Sequence, residues 1–128
     1  MIYVDKREKT PWMLTNAWAG VAVTAATLKT ADYSNGTVLV ERKAVGDFIN
    51  CCGKSKTRFM AEVDRGFDYL IIEGNRDALA AYLKKRHSRM TIKYIDKVIN
   101  EIKARGIVVI LSDNREAAAK TALEILAA

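Results

Sequence analysis

D-Y-S-N-G-T-V-L-V-E-R-K-A-V-G-D, residues Asp32 to Asp47, carries an Asn-Gly pair at positions 35 and 36 between two runs of strand-forming residues. A type I′ turn needs positive φ at both central positions, and Asn-Gly supplies it at low cost. Leu28–Tyr33 and Thr37–Arg42 are therefore predicted to be antiparallel neighbours joined by a two-residue loop. In that register Ser34 opposes Thr37, Asp32 opposes Leu39 and Thr30 opposes Glu41. Side chains alternate between faces, so Leu39, Glu41 and Lys43 share one face, and Asp32 joins them diagonal to Glu41.

Diagonal neighbours lie roughly 7–8 Å apart at the backbone and closer at their tips. Two carboxylates at that distance repel unless a cation or a proton lies between them. Mg²⁺ (or Mn²⁺), a hard ion that takes oxygen ligands, resolves the repulsion, with Asp32 and Glu41 as ligands and the backbone carbonyl of Arg42 as a third. Lys43 follows on the same face, placed to hold a phosphate or an attacking water. Two carboxylates and a lysine so arranged make a candidate phosphodiesterase site. Asp47 has three readings: a metal contact through water, a salt bridge to Lys43, or a carboxylate favoured at a helix start. The Arg42 side chain points to the opposite face, where it is expected to brace the site through a carboxylate such as Asp5 or Asp47.

Glu41-Arg42-Lys43 followed by Asp47 resembles the E-R-K-x-x-x-D signature of the XPF-type structure-specific endonucleases, within the restriction-endonuclease-like superfamily. Asp32-Tyr33 stands where that family has G-D-Y, with Ala31 in the glycine position. Val4-Asp5-Lys6-Arg7-Glu8 is similar to its opening V-D-x-R-E, and Phe67–Gly74 and Val109–Asp113 resemble its later core strands. The resemblance implies a metal-dependent endonuclease acting on branched or flapped DNA, with dimerisation or a partner subunit. Asp5, Arg7 and Glu8 then reach the site from the end of the first strand, Glu8 to position a water and Arg7 to contact a phosphate. Family members add a helix-hairpin-helix module that these residues do not include, so the nuclease surface or a partner is expected to supply selectivity. A non-catalytic DNA-binding or scaffolding subunit is the alternative, and an RNA-processing nuclease a third reading.

The rest of the chain fits one nuclease domain over residues 1–128. Strands are expected at Ile2–Val4, Val21–Leu28 leading into the hairpin, Phe67–Glu73 and Ile107–Leu111, the last two buried. Helices are expected from Thr10-Pro11 to Gly20, after Lys43 to Gly53, over Arg58–Arg65, and from Arg76 to about Arg86 behind an Asn75 cap. Ile92, Ile95, Ile99 and Ile102 mark another, and Asn114–Leu126 follows a capping box of Asp113 and Glu116. Its Ala118, Ala122, Ile125 and Leu126 form a stripe that serves either the core or a dimer seam. This order of elements predicts an α/β fold, a three-layer α/β/α sandwich on a central mixed sheet.

With 21 Lys and Arg against 15 Asp and Glu, the chain carries +6, a balance that suits a polyanion. Lys84, Lys85, Arg86 and Arg89, with Lys54, Lys56 and Arg58, are the candidate DNA-tracking surface. Cys51 and Cys52 are adjacent and His87 is the one histidine, which excludes a zinc spacing or a disulfide framework. Charge at Asp5 leaves no apolar leader, and Trp18–Leu28 is too short to span a membrane. The expectation is a soluble intracellular protein.

Overall fold

The computed structural model describes residues Met1 to Ala128. Six strands form one mixed sheet: β1 (Ile2–Asp5), β2 (Val23–Ala26), β3 (Tyr33–Ser34), β4 (Leu39–Lys43), β5 (Tyr69–Ile72) and β6 (Val108–Leu111), in the spatial order β2-β1-β3-β4-β5-β6. β3 runs antiparallel to both β1 and β4, and the pairs β1/β2, β4/β5 and β5/β6 are parallel. Parallel neighbours need long crossovers. Here α1 (Val45–Cys52) and α2 (Lys56–Arg65) link β4 to β5, while α3 (Arg76–Lys85) and α4 (Ile92–Lys103) link β5 to β6. The chain closes with α5 (Arg115–Leu126).

Two cores flank the sheet, giving the expected three layers. Phe48, Phe59, Leu79, Ile95 and Ile102 of α1 to α4 pack with Leu70 and Ile72 on one face. Trp12, Trp18 and Ala118, Ala119, Ala122 and Leu126 of α5 pack with Val4, Tyr33, Val40 and Ile71 on the other. β5 thus sends alternate residues into opposite cores, which explains its unbroken apolar sequence. The α5 stripe is covered by this second core, with Ile125 half-buried at its margin. Asn75 caps α3 by accepting the Ala78 N–H, as expected.

Several local expectations change. The hairpin register is two residues off: Ser34 pairs with Leu39 and Tyr33 with Val40. Asn35 is the reason, since its Oδ1 accepts the Thr37 and Val38 amides at 3.0 and 2.8 Å and closes a four-residue loop. Only Gly36 of the pair takes positive φ, at 93°. A shift of two keeps every side chain on its face and moves Asp32 from diagonal to directly opposite Glu41.

Leu28–Tyr33 is not a strand before Tyr33, because Ala31 turns the backbone to φ 67°. β2 consequently pairs in parallel with β1 at the sheet edge instead of leading into the hairpin. Thr10-Pro11 starts no α-helix. Pro11 is extended (ψ 152°) and two short 3₁₀ turns follow, Trp12–Leu14 and Asn16–Trp18. α2 begins at Lys56, two residues before the expected Arg58. β6 is an edge strand with Val108 49% exposed, not a buried one. Asn114, not Asp113, caps α5 by accepting the Ala117 N–H, and Glu116 instead accepts the amides of Asn16 and Ala17.

Left-handed backbone costs a residue with a Cβ roughly 1–2 kcal/mol, partly offset because glycine loses more freedom on folding. Ala31→Gly is therefore expected to stabilise the protein by about 0.5–1 kcal/mol in urea unfolding. Equal or lower stability would show that Ala31 carries no strain.

Candidate active site

β4 presents two faces with different tasks. Leu39 packs with the α1–α4 core, and Glu41 and Lys43 follow it on that side. There they border a polar cleft of about 220 Å³ between the 28–32 loop and the C-terminal half of α2. Asp5, Arg7, Asp32, Glu41 and Lys43 line this cleft, so five of the expected site residues are brought together. Arg7 lies at its rim, 71% exposed, with Nε 2.9 Å from Asp5 Oδ2. Asp5 also accepts the Leu28 N–H at 3.0 Å and so anchors the loop that carries Asp32.

Asp32 is fixed by backbone on both sides. Its N–H donates to Val40 O, its carbonyl accepts from Asp5 N–H at 2.8 Å, and Oδ2 accepts the Arg42 N–H at 2.9 Å. Carbonyls two apart on a strand point the same way, so the Arg42 carbonyl faces the side of Asp32, beyond the point where Ala31 takes the chain out of the ladder. Lys43 Nζ sits 3.7 Å from Glu41 Oε2 and 5.5 Å from the Phe59 ring centroid.

Burial and the facing Asp32 carboxylate push the Glu41 carboxyl far above the ordinary glutamate range, and Lys43 offsets only part of this. Burial works against the Lys43 charge too, but Glu41, Cys51 and Asp32 outweigh it and raise its pKa. For Asp5, Arg7 and the Leu28 amide overcome the burial penalty and hold the carboxyl low. The pair Asp32–Glu41 therefore needs a positive partner or a proton. Burial pushes the Cys51 thiol up to about 11, which leaves no thiolate nucleophile beside the cleft.

Arg42 and Glu8 lie on the other face. The Arg42 guanidinium grips Glu73 twice at 3.0 Å, Glu8 at 3.1 Å and Thr10 Oγ1 at 3.0 Å. Trp12 Nε1 donates to Glu73 at 2.8 Å. Arg42 thus braces Glu8 and Glu73 rather than the expected Asp5 or Asp47, because strand alternation turns it away from the cleft. Glu8 is correspondingly spent on Arg42 and does not line the cleft, although its Oε2 is buried without a partner. Burial and the charge of Asp32 raise its carboxyl above the ordinary range, and Arg42 opposes them. Asp47 is exposed in the first turn of α1 and pairs with no base, the helix-start placement.

Two of the basic segments approach each other around Gly53 and Met90. A Cβ on Gly53 would lie 2.5 Å from Met90 Cε, so the loop after Lys84, Lys85, Arg86 and Arg89 packs beside that of Lys54. Those five and Arg58 are exposed. Lys56 is committed to Glu101 at 3.3 Å and to the Tyr94 ring.

Lys29, Thr30, Glu62 and Arg65 also line the cleft, and Glu73 anchors Arg42; none was anticipated from sequence. Arg58, Glu62 and Arg65 have helical spacing, which marks one face of α2 but not what that face looks onto. Glu73, an acid directly after an apolar strand, carried the better signal.

No group of three or more His, Cys, Asp and Glu side chains is placed to hold a metal ion. The donors present are two carboxylates and a backbone carbonyl, all hard oxygens. That set fits Mg²⁺, which commonly takes one or two carboxylates and keeps its waters. No helix is long and apolar enough to cross a membrane.

No protein-family model matches the chain, and comparison with curated proteins finds no match. Among solved structures the chain is similar to XPF from Aeropyrum pernix, with a TM-score of 0.76 and 22% identity over 98% of this chain. A structure of the same protein in complex with DNA matches with the same TM-score and identity. The chain spans 59% and 62% of those two chains. The likeness establishes the fold: the chain shares the three-layer α/β/α architecture of the XPF chains that it matches.

Proposed function

We propose, starting from a fold shared with XPF, that this chain is a metal-dependent endonuclease that hydrolyses DNA phosphodiesters. The observation that carries the reading is Asp32 facing Glu41 across β3 and β4, with Lys43 on Glu41, in an open polar cleft. Asp32, Glu41 and the Arg42 carbonyl would hold Mg²⁺ or Mn²⁺. When bound, the ion supplies Lewis acidity and lowers the pKa of a coordinated water. Lys43, released from Glu41, stabilises charge developing on the phosphate oxygens or orients the water. Asp5 keeps the Asp32 loop and Arg7 in place, and Arg7 contacts a phosphate. Lys54, Arg58, Lys84, Lys85, Arg86 and Arg89 extend the contact along the backbone of the nucleic acid.

A preference for branched or flapped DNA is supported by the resemblance to XPF-type enzymes and belongs to this proposal. A second copy or a partner subunit would have to use a surface other than the α5 stripe, which the chain's own core covers. Cleavage of labelled linear duplex, single strand, flap, fork and four-way junction with Mg²⁺, Mn²⁺ or chelator is the test. Metal-dependent cutting of flap or fork is the expected result. No cutting of any substrate with either metal would favour a binding-only subunit.

The Glu41 carboxyl has a pKa raised above its ordinary value of 4.5. Its favourable contribution to stability is complete below that value and is lost as pH climbs toward the raised one. Without metal, stability is expected to fall from pH 5.5 to 8.5 with a slope of at most about 1.4 kcal/mol per pH unit for this proton. Mn²⁺ needs the ionised pair, so the rise in melting temperature that it causes grows over the same range. Melting curves with chelator or Mn²⁺ check both slopes, and Glu41→Gln should flatten them.

A further inference from the structure

The cleft contains four basic side chains, and two of them are already committed. Arg7 is bound to Asp5 at 2.9 Å and Lys43 lies 3.7 Å from Glu41. Lys29 and Arg65 are exposed and take part in none of the protein's hydrogen bonds between side chains or ion pairs. Both line the cleft, Lys29 on the loop that carries Asp32 and Arg65 in the last turn of α2. Glu62, three residues before Arg65, is at a spacing where helix ion pairs form, yet the two do not pair. A free guanidinium from α2 and a free ammonium from the 28–32 loop therefore share the cleft with the carboxylates that would act on a phosphate.

We infer that Lys29 and Arg65 are a phosphate clamp: they grip the backbone phosphates on either side of the scissile one, so the cleaved strand crosses the cleft from the 28–32 loop to α2. This rests on the nuclease reading and adds a direction to it. Seven residues before Arg65, two turns along the same helix, stands Arg58, with Lys54 beyond it. The strand leaves the cleft along α2 toward these cations. Phosphate contacts fix register and orientation without reading bases, so the clamp positions the substrate and is indifferent to sequence.

Binding of a fluorescent fork DNA in chelator, from 50 to 200 mM salt, tests the clamp without metal or turnover. Lys29→Ala and Arg65→Ala are each expected to lower the slope of log affinity against log salt by about 1, and the double variant by about 2. Lys120→Ala, which removes an exposed charge on α5 across the sheet, should leave the slope unchanged. In Mn²⁺ the clamp variants should raise KM with kcat within a few-fold of wild type. A wild-type salt slope in the double variant, or the same loss from Lys120→Ala, overturns the clamp and leaves the nuclease reading standing. A wild-type chain that neither binds nor cuts the fork overturns both.

Discussion

Glu41→Gln and Asp32→Asn are each expected to lower metal-dependent cleavage of the preferred DNA by about 10²–10³-fold, the scale seen when a group stabilising transition-state charge is lost. Both replacements keep the shape of the side chain. Asn at 32 still offers an oxygen to the Arg42 amide, now at 2.9 Å from Asp32 Oδ2. Gln at 41 removes a buried acid whose ionisation the fold resists, so folding should be unimpaired or improved near pH 8. Binding of the same DNA in chelator should stay within about threefold, since no phosphate-facing cation is touched. Gel cleavage with Mn²⁺ and anisotropy with chelator separate these readouts. Wild-type cutting by either variant would remove the two acids from the chemistry.

Arg42→Ala is expected to destabilise the protein by about 3–5 kcal/mol, the cost of leaving a buried charge without its partner. Its side chain is 11% exposed and faces Glu8 and Glu73, which are 10% and 6% exposed. Removing it strands both acids in a low-dielectric setting, with Trp12 and a distant Arg115 as the remaining company of Glu73. Arg7→Ala is the contrast, since Arg7 is 71% exposed and solvent screens a surface pair, so its loss should barely change stability. Guanidinium unfolding of the two variants measures the difference. A loss below about 1 kcal/mol for Arg42→Ala would mean that Glu8 and Glu73 find other partners or take up protons.

Much of this was legible in the chain because the signals were local. Isoleucine spacing gave α4, Asn75 gave the α3 cap, and an apolar run gave β5. The pairing of Asp32 with Glu41 was legible even through a wrong loop length, since the error was an even number of residues and strand parity survived it. The failures were of two kinds. One was competition between neighbouring polar groups: the Asn35 side chain closed the hairpin loop itself, and Asn114 displaced Asp113 as a cap. The other was tertiary: nothing near Glu8 in sequence announces that Arg42, 34 residues on, would claim it. Likewise the α2 residues of the cleft depend on how a whole helix is laid over the sheet.

Alternation along β4 has a consequence for how this protein can vary. Glu41 and Lys43 look one way and Arg42 the other, within a strand of five residues. Inserting or deleting a single residue between Val38 and Glu41 would invert all three at once, burying the amine in the aromatic layer and turning the guanidinium out toward the cleft. Length changes of that kind should be lethal to both stability and activity. The tip at Gly36 and Thr37, exposed and outside the ladder, is the place where the hairpin can grow or shrink without disturbing either face.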